Sequence, residues 1–378
     1  MRVALLTYST RPRGGVVHTL ALAEAMAELG HEVDVWSLAR GGDGGFFRPV
    51  SPGVGVRLVP FPDVEDEDVG DRIVRSIDVL GDAFAGIGPA AARHAGPGAA
   101  AGHRQGYDVV HAQDCISANA VPRCVRTVHH LDTFTTPQLA ACHEQAIVRP
   151  YAHVCVSGAV AAELRAGWGI EATVIANGID GGRFAAAADD ADGIAAWRRR
   201  LGRYVVAVGG IEPRKGSADL VEAMALVQRV DPSLRLVVAG GETLFDYREY
   251  RSAVLERAAE LDVDLELLGP VSHDALPSLV AGAAALAFPS VKEGFGMAAM
   301  EAMAAGVPVV LRDLPVLREV FGPAGAFAAT VDELAAGLLA AAAAPDAGRL
   351  AAGRDLAAKH TWTAAAEAHL EFYAALGR

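Results

Sequence analysis

The segment that decides the fold is residues 292–310, KEGFGMAAMEAMAAGVPVV. An apolar run, Ala283–Phe288, precedes it, and a second apolar run, Val307–Leu311, overlaps its end. Between the two runs lie a glycine-bearing loop and a short helix rich in Ala and Met. The first backbone N–H groups of a helix have no partner within the helix, and the helix dipole favours negative charge there. The segment therefore predicts a phosphate site between two buried strands.

Two carboxylates flank this loop. Glu293 stands before the predicted helix, whereas Glu301 stands one to two turns inside it. Side chains at these positions do not stack on one helix face. We therefore expect the two glutamates to hold different parts of one elongated ligand, on either side of its phosphates.

The composition narrows the class of protein. The chain has 378 residues, enough for two domains, and 52% of them are hydrophobic while 21% are charged, as in globular proteins. The net charge of −13 argues against nucleic acid as a partner, because phosphate backbones need clustered Lys and Arg. The N-terminal run Met1–Thr7 is too short for a signal peptide, and no stretch spans a membrane, so a cytoplasmic location is expected.

Four cysteines fall in one region that is also rich in histidine: Cys115, Cys124, Cys142 and Cys155. Their spacing contains no CxxC pair, which disfavours a zinc site without excluding it. Reduced thiols in the core of a cytosolic protein are the favoured interpretation. No metal is expected.

Strand and helix patterns alternate along both halves of the chain, which predicts two parallel, doubly wound sheets. The predicted strands are Arg2–Tyr8, Glu32–Leu38, Val54–Val59, Tyr107–His111, Cys124–His129, His153–Ser157, Thr173–Ala176, Tyr204–Val208, Leu234–Ala239, Leu265–Leu268, Ala284–Phe288 and Val307–Val310. We predict that the domains join near residues 178–200, a candidate hinge. Within it, Ala185–Ala196 has a low-complexity composition that indicates a linker or a frayed helix.

Ligands of open α/β sheets bind beyond the carboxyl ends of the strands. Gly14 and Gly15 follow the first strand, where a phosphate or sugar can approach the backbone, although a plain helix-start turn has the same composition. His129 ends the strand at Cys124. Arg214 and Lys215 follow the first strand of the second half, where they can meet a diphosphate.

At these residues the chain resembles the family-4 retaining glycosyltransferases, and the resemblance covers essentially its whole length. The specific part is the E-x7-E signature, Glu293 to Glu301, followed by Gly306–Val310. The resemblance implies the GT-B fold, which is two Rossmann-like, doubly wound, parallel-sheet α/β domains facing a central cleft. It implies an acceptor-binding domain at 1–178, a donor-binding domain at 179–360, and a C-terminal helix at about 361–378 that packs back on the first domain.

The resemblance also implies roles for individual residues. Catalytic roles fall to His129, Lys215 and Glu293. Donor binding falls to Gly15, Gly210, Arg214, Lys215, Gly269, Pro270, Val271, Glu293, Gly294, Phe295, Gly296, Met297 and Glu301, of which Glu293 holds the sugar and Glu301 the ribose. The acceptor side comprises Gly14, Gly15, His111, His129 and His130.

The chain departs from the family pattern at three of its positions. Gly210 stands where the family usually has Arg, so Arg214 supplies that charge or Lys215 acts alone. Gln113 replaces a frequent second His, and His130 replaces a frequent Asp. The last two changes concern the acceptor side.

The implied reaction moves a sugar, with retention, from a nucleotide-diphosphate sugar to a small soluble acceptor, and it needs neither metal nor cofactor. UDP is favoured over GDP or ADP because it is commoner in the family. A non-catalytic nucleotide-sugar binding protein remains an alternative, and so does a phosphorylase or epimerase. An NAD-type dehydrogenase is disfavoured because GxGxxG and its acidic partner are missing.

Overall fold

The structure is a computed structural model, and it describes residues 1–86, 106–132, 134, 137–241 and 247–377. By their internal contacts, these residues divide into two compact units. Unit 1 comprises Met1–Gly178 and Trp362–Arg378, and unit 2 comprises Ile179–Thr361. Each unit is a parallel sheet with helices packed against it.

The sheet of unit 1 contains seven parallel strands. They are β1 (Arg2–Thr7), β2 (Glu32–Arg40), β3 (Val54–Phe61), β4 (Val109–Ala112), β5 (Val125–Val128), β6 (Ala152–Cys155) and β7 (Thr173–Val174). Their order is β3-β2-β1-β4-β5-β6-β7. Strands β1 to β3 are added toward one edge of the sheet and β4 to β7 toward the other, so the strand order reverses at the boundary between β1 and β4. Val3, Ala4, Leu5 and Leu6 of β1 are all fully buried. A strand covered by helices on both faces needs such a continuous apolar run.

Five of the helices of unit 1 come from its N-terminal segment and one from the C-terminal end of the chain. They are α1 (Gly14–Glu28), α2 (Val69–Phe84), α3 (Cys115–Ala120), α4 (Pro137–Val148), α5 (Gly158–Trp168) and α15 (Trp362–Leu376). Helix α15 packs along α1, and buried Ala366 and Tyr373 join the core formed with Leu20. The C-terminal helix therefore belongs to the first unit.

The sheet of unit 2 has six parallel strands. They are β8 (Arg203–Val208), β9 (Leu234–Ala239), β10 (Leu265–Gly269), β11 (Ala285–Phe288), β12 (Val309–Arg312) and β13 (Ala326–Ala328). Their order is β10-β9-β8-β11-β12-β13, which repeats the reversal of unit 1. The carboxyl ends of β8 and β11 are therefore adjacent, at the point where ligands of such sheets bind.

The helices of unit 2 cover both faces of its sheet. They are α6 (Gly181–Ala187), α7 (Ala191–Leu201), α8 (Ser217–Val230), α9 (Arg248–Glu260), α10 (Leu276–Ala281), α11 (Met297–Ala304), α12 (Pro315–Phe321), α13 (Val331–Ala343) and α14 (Ala347–Lys359). Met224 of α8 and Leu338 of α13 are fully buried against Val205 and Ala285 of the sheet.

One predicted segment differs from the structure and one strand was not predicted. Residues 185–196 were predicted as a linker or frayed helix, but 185–187 end α6 and 191–196 begin α7. Both helices begin after a capping side chain, Asp180 and Asp190, and a cap of this kind stabilises a short helix by about 1 kcal/mol. Strand β13 has only three residues and was not predicted. Helix α1 begins at Gly14, so the two glycines form its first turn, which is the helix-start alternative.

The four cysteines are free thiols, and Cys124, Cys142 and Cys155 are buried. Among the described residues, no group of three His, Cys, Asp or Glu side chains is arranged to hold a metal ion. Within the same residues, no helix combines the length and the apolar character that crossing a membrane requires.

Candidate functional site

The carboxyl edge of the unit 2 sheet brings together residues that are far apart in the sequence. After β8, a 3-10 turn at Pro213–Lys215 projects two cations. Lys215 Nζ donates to Glu293 Oε2 over 3.0 Å, and Arg214 Nη1 lies 3.8 Å from the same oxygen. Arg214 Nε also lies 3.4 Å from Glu212 Oε2. The predicted cations and the first predicted carboxylate therefore share one ion-pair network.

The close contact between the Pro213–Lys215 turn and the loop after β11 depends on a glycine. Gly216 has φ +65°, and a Cβ placed there would lie 2.2 Å from the carbonyl oxygen of Pro289. The backbone of Val291 donates to the carbonyl of Arg214 over 2.8 Å, which fixes the cation turn against the loop after β11. Only glycine meets both the left-handed conformation and the close contact.

Helix α11 begins beside this network. Gly296 is its N-cap in the left-handed region, with φ +100°, and no side chain caps the helix. The N–H groups of Ala299 and Met300 return to the carbonyl of Gly296, whereas Gly294 N–H points to Glu293 Oε1 at 3.3 Å. The N-terminus of α11 therefore combines a positive dipole end with nearby cations, which is the arrangement that anions favour.

Glu301 lies one turn inside α11 and faces a different environment from Glu293. Burial raises the pKa of Glu301 to about 7, Arg183 opposes the rise and Asp180 adds to it. Arg183 is held by Asp180 Oδ2 at 3.1 Å and by the His273 carbonyl at 2.6 Å. Glu301 is only partly exposed and forms no ion pair among the described residues, and such a carboxyl is suited to neutral hydroxyl groups.

The loop after β10 reaches the same sheet edge. Gly269 ends β10 with φ +68° and pairs with Ala239 after a shift of register. A Cβ on Gly241 would lie 2.9 Å from Pro270 Cγ, so the two loops are in close contact. Gly269, Pro270 and Val271 therefore border the edge where the sequence places them.

A cavity at this edge is lined by two serines that were not predicted to belong to the site, Ser217 and Ser290. Gly209, Gly210, Lys215, Pro289 and Ser290 are among its lining residues. Ser290 is 1% exposed, and its Oγ has no hydrogen-bond partner. Buried hydroxyls without a partner are rare, so Ser290 joins the candidate site. Its place after an apolar strand was the only signal in the sequence.

In unit 1, Gly15 and His129 are neighbours. A Cβ on Gly15 would lie 3.7 Å from the His129 ring, and His129 Nε2 lies 3.2 Å from Gln113 Oε1. Burial lowers the pKa of His129 well below its usual value, and the charge of Arg126 lowers it further. His129 is therefore neutral at pH 7, with one ring nitrogen held by Gln113.

The other two predicted histidines have different surroundings. His111 is fully buried, with Nδ1 2.6 Å from Tyr373 Oη and Nε2 2.7 Å from Thr127 Oγ1. The assignment of His111 to the acceptor side is therefore corrected, because both ring nitrogens bond to core hydroxyls. His130 is partly exposed, and its Nε2 pairs with Asp132 at 2.9 Å.

The surroundings of His129 also include residues with no signal in the sequence. The His18 ring lies 4.8 Å from the His129 ring and 5.3 Å from the Trp362 ring. His18 Nδ1 lies 3.0 Å from Asn177 Oδ1. The packing of α15 on α1 brings these residues together, and no local spacing predicts it.

Comparison with known proteins agrees with this architecture. The family model "Glycosyltransferase Family 4" matches residues 12–183, and "Glycosyl transferases group 1" matches residues 198–346. HepE from Anabaena, solved with UDP and glucose, has a TM-score of 0.72 at 18% identity, covering 99% of both chains. Sucrose-phosphate synthase from Thermosynechococcus elongatus has a TM-score of 0.75 at 20% identity, covering 99% of this chain and 98% of that one.

The two parallel sheets give the chain the GT-B fold. A D-inositol 3-phosphate glycosyltransferase of Salinispora arenicola is 31% identical over 357 residues, which cover 82% of this chain and 76% of that protein. A phosphatidyl-myo-inositol mannosyltransferase of Mycolicibacterium smegmatis is 29% identical, covering 86% and 80%. The chain belongs to glycosyltransferase family 4.

Proposed function

We propose that this protein transfers a sugar from a nucleotide-diphosphate sugar to an acceptor, with retention of the anomeric configuration and without a metal ion. UDP is the favoured nucleotide. Unit 2 binds the donor and unit 1 binds the acceptor. A small soluble acceptor and a cytoplasmic location complete the proposal.

One observation carries the donor assignment: the contact of Lys215 with Glu293 beside the uncapped N-terminus of α11. A bound diphosphate can accept hydrogen bonds from Lys215 and from the N–H groups at the N-terminus of α11. The Glu293 carboxylate, no longer bonded to Lys215, can then accept hydrogen bonds from the sugar hydroxyls. Glu301, on the same helix, binds the ribose. The hydroxyl of Ser290 supplies a further donor to the phosphates.

The main contribution of these groups is to stabilise the negative charge that develops on the leaving diphosphate. Lys215, Arg214 and the α11 dipole are positioned before the reaction, so they stabilise that charge without reorganisation, by several kcal/mol in total. The acceptor attacks the face from which the diphosphate leaves, and a phosphate oxygen takes the acceptor's proton. Glu293 is then not a nucleophile, in contrast to the carboxylates of retaining hydrolases.

The names of the relatives guide the choice of substrates to test. One relative is named for D-inositol 3-phosphate and another for phosphatidyl-myo-inositol and mannose. Both names contain a phosphate-bearing acceptor, and the second makes mannosyl donors necessary in any screen. UDP-, GDP- and ADP-sugars should therefore be compared side by side.

The donor assignment is tested by calorimetric titration of these nucleotide sugars. Charge-assisted hydrogen bonds contribute about 1.5–3 kcal/mol, so Lys215→Ala is expected to weaken donor binding by about 10- to 100-fold. Lys292→Ala, one residue before Glu293, is the matched control and should bind as the wild type does. Equal affinity of wild type and Lys215→Ala would refute the assignment.

The chemistry is tested separately. NMR of the product anomer distinguishes retention from inversion, and an inverted product would contradict the proposed course. Full activity after dialysis against EDTA is expected, and a rate restored only by a divalent cation would contradict metal independence. Donor binding without transfer or hydrolysis, across a broad acceptor panel, would favour the non-catalytic alternative.

A further inference from the structure

Unit 1 contains a buried arginine whose guanidinium is incompletely hydrogen-bonded by the described residues. Arg126 of β5 is 8% exposed, and neither its Nε nor its Nη1 has a hydrogen-bond partner. Among the described residues, no carboxylate lies within 4.0 Å of its guanidinium. A buried charge is costly unless it is paired, so this group requires a counter-charge.

The direction of Arg126 follows from the strand. Its neighbour Thr127 contacts His111 on the α15 face, and successive side chains of a strand point to opposite faces. Arg126 therefore lies on the α3–α4 face. Its charge opposes the rise in the pKa of Asp114 that burial causes, and it lowers the pKa of His129. Arg126 pairs in register with Ala112 of β4, two residues before Asp114, so its side chain lies next to the carboxyl edge of the sheet.

A second arginine with an unsatisfied nitrogen reaches this edge from β1. Arg13 Nε is buried without a partner, and the Arg13 guanidinium lies 5.9 Å from the centre of the Tyr8 ring. Arg40 lies 5.7 Å from the same ring, with hydrogen bonds to Ser76 Oγ and the Tyr8 carbonyl. Asp114 joins the two sides, because its Oδ2 accepts from Tyr8 N–H at 3.0 Å.

The local charge balance is positive in a chain whose net charge is −13. Arg13 and Arg40 both contact the Tyr8 ring, and the Asp114 carboxylate accepts the N–H groups of Tyr8 and Ser117. Glu67, another carboxylate near Arg40, is already paired with Arg75. We call Arg13, Arg40 and Arg126 the arginine edge. Guanidinium forks match the geometry of phosphates and carboxylates.

We infer that the arginine edge is an anion-binding site in unit 1 and that the acceptor carries a phosphate group, which Arg126 and Arg13 bind. This inference deepens the proposed transfer reaction by naming the chemistry of its acceptor. Arg126 is a binding residue in this scheme, and the Tyr8 ring contacts the guanidinium groups of both Arg13 and Arg40.

The first test uses inorganic phosphate as the probe. Binding to the full chain is followed by thermal shift at constant ionic strength, in a Lys215→Ala background that removes the cation of the proposed donor site. Arg126→Gln is expected to weaken phosphate binding by at least tenfold. Arg123→Gln, an exposed arginine three residues earlier over the Tyr151 ring, is the matched control. Equal phosphate affinity in Arg126→Gln and Arg123→Gln would overturn the inference.

Arg126→Lys covers the case in which Arg126→Gln fails to fold. This variant keeps the positive charge and loses the forked guanidinium, so an intermediate phosphate affinity is expected. Unchanged phosphate affinity in both Arg126→Lys and Arg13→Gln would overturn the inference.

A second pair of probes separates two sources of phosphate. Loss of glycerol 3-phosphate binding in Arg126→Gln identifies a soluble ester, and loss of co-sedimentation with phosphatidylglycerol vesicles identifies a lipid headgroup. If neither probe depends on Arg126, the inference is wrong.

The two proposals fail in different ways. Nucleotide-sugar titration of Arg126→Gln should match the wild type, because the donor residues other than Gly15 lie in unit 2. Loss of donor binding in Lys215→Ala with phosphate binding retained supports both proposals. If the protein binds phosphate through Arg126 but binds no nucleotide sugar, the anion site at the arginine edge is supported and the donor assignment is refuted.

Discussion

Replacing Glu301 with Gln should make the protein more stable at alkaline pH. Burial raises the pKa of this carboxyl from 4.5 to about 7, so the folded protein resists its ionisation. Each unit of pKa shift is equivalent to about 1.4 kcal/mol, and the full shift therefore sets an upper bound of about 3 kcal/mol. Because the residue retains some exposure to solvent, we expect a gain of about 1–3 kcal/mol in Glu301→Gln above pH 8.

The sign of the pH dependence follows from linkage. A carboxyl with a raised folded-state pKa contributes stability below its unfolded pKa of about 4.5, and that contribution is lost as pH rises to about 7. The stability difference between Glu301→Gln and wild type should therefore be small near pH 4.5, grow up to pH 7 and then remain constant. The same variant should bind nucleotide less well, because the amide replaces the carboxylate that we propose binds the ribose.

Scanning calorimetry between pH 4.5 and 9 measures this difference. A change of 1–3 kcal/mol corresponds to a rise in Tm of about 2–10 °C for a unit of this size. Glu256→Gln removes an exposed carboxylate from α9 and is the control, with no pH-dependent change expected. A difference between Glu301→Gln and wild type that does not vary with pH would refute the reasoning.

Three further predictions concern packing and the His129 environment. Gly216→Ala should lower the free energy of unfolding in urea by at least about 3 kcal/mol, because it combines a left-handed backbone with a clash against the Pro289 carbonyl. The control Gly42→Ala has φ +83° with open space around the new Cβ, and should lower it by only about 1–2 kcal/mol. Equal losses in the two variants would count against the packing argument. Gln113→Glu should raise the pKa of His129, because a carboxylate stabilises the imidazolium, and an unchanged histidine titration by NMR would disprove the contact. Tyr373→Phe should cost about 1–3 kcal/mol, since it leaves His111 Nδ1 buried without a partner, and a loss below about 0.5 kcal/mol would show that the hydrogen bond is not needed.

Much of the fold was predictable because it depends on local patterns. The buried strands of a parallel sheet are short apolar runs, and the E-x7-E segment joins such a run to a helix start, so the strands at Leu234–Ala239 and Arg2–Thr7 were placed within a residue of their ends. The sequence did not predict short elements whose patterns are weak. β13 has only three residues, and α6 and α7 have an Ala- and Asp-rich composition that is shared with linkers.

The placement of the proposed donor residues at strand ends was also predictable, although their contacts were not. The sequence alone determined that Glu293, Lys215 and the glycine loop stand at strand ends of one Rossmann-like half. Only the tertiary structure decided that Lys215 bonds to Glu293, because that contact depends on the left-handed Gly216 against Pro289. Strand order brings β8 beside β11, although their sequences are about 80 residues apart.

The acceptor half shows the limit of sequence patterns. The sequence determined that His111 and His129 end neighbouring strands, and it assigned both to the acceptor side. The structure placed the His111 ring between Tyr373 and Thr127, because α15 returns from the far end of the chain to cover that face. It also left Nε and Nη1 of Arg126 buried without a hydrogen-bond partner among the described residues. Burial and pairing are properties of the packed chain, and residues distant in sequence decide them.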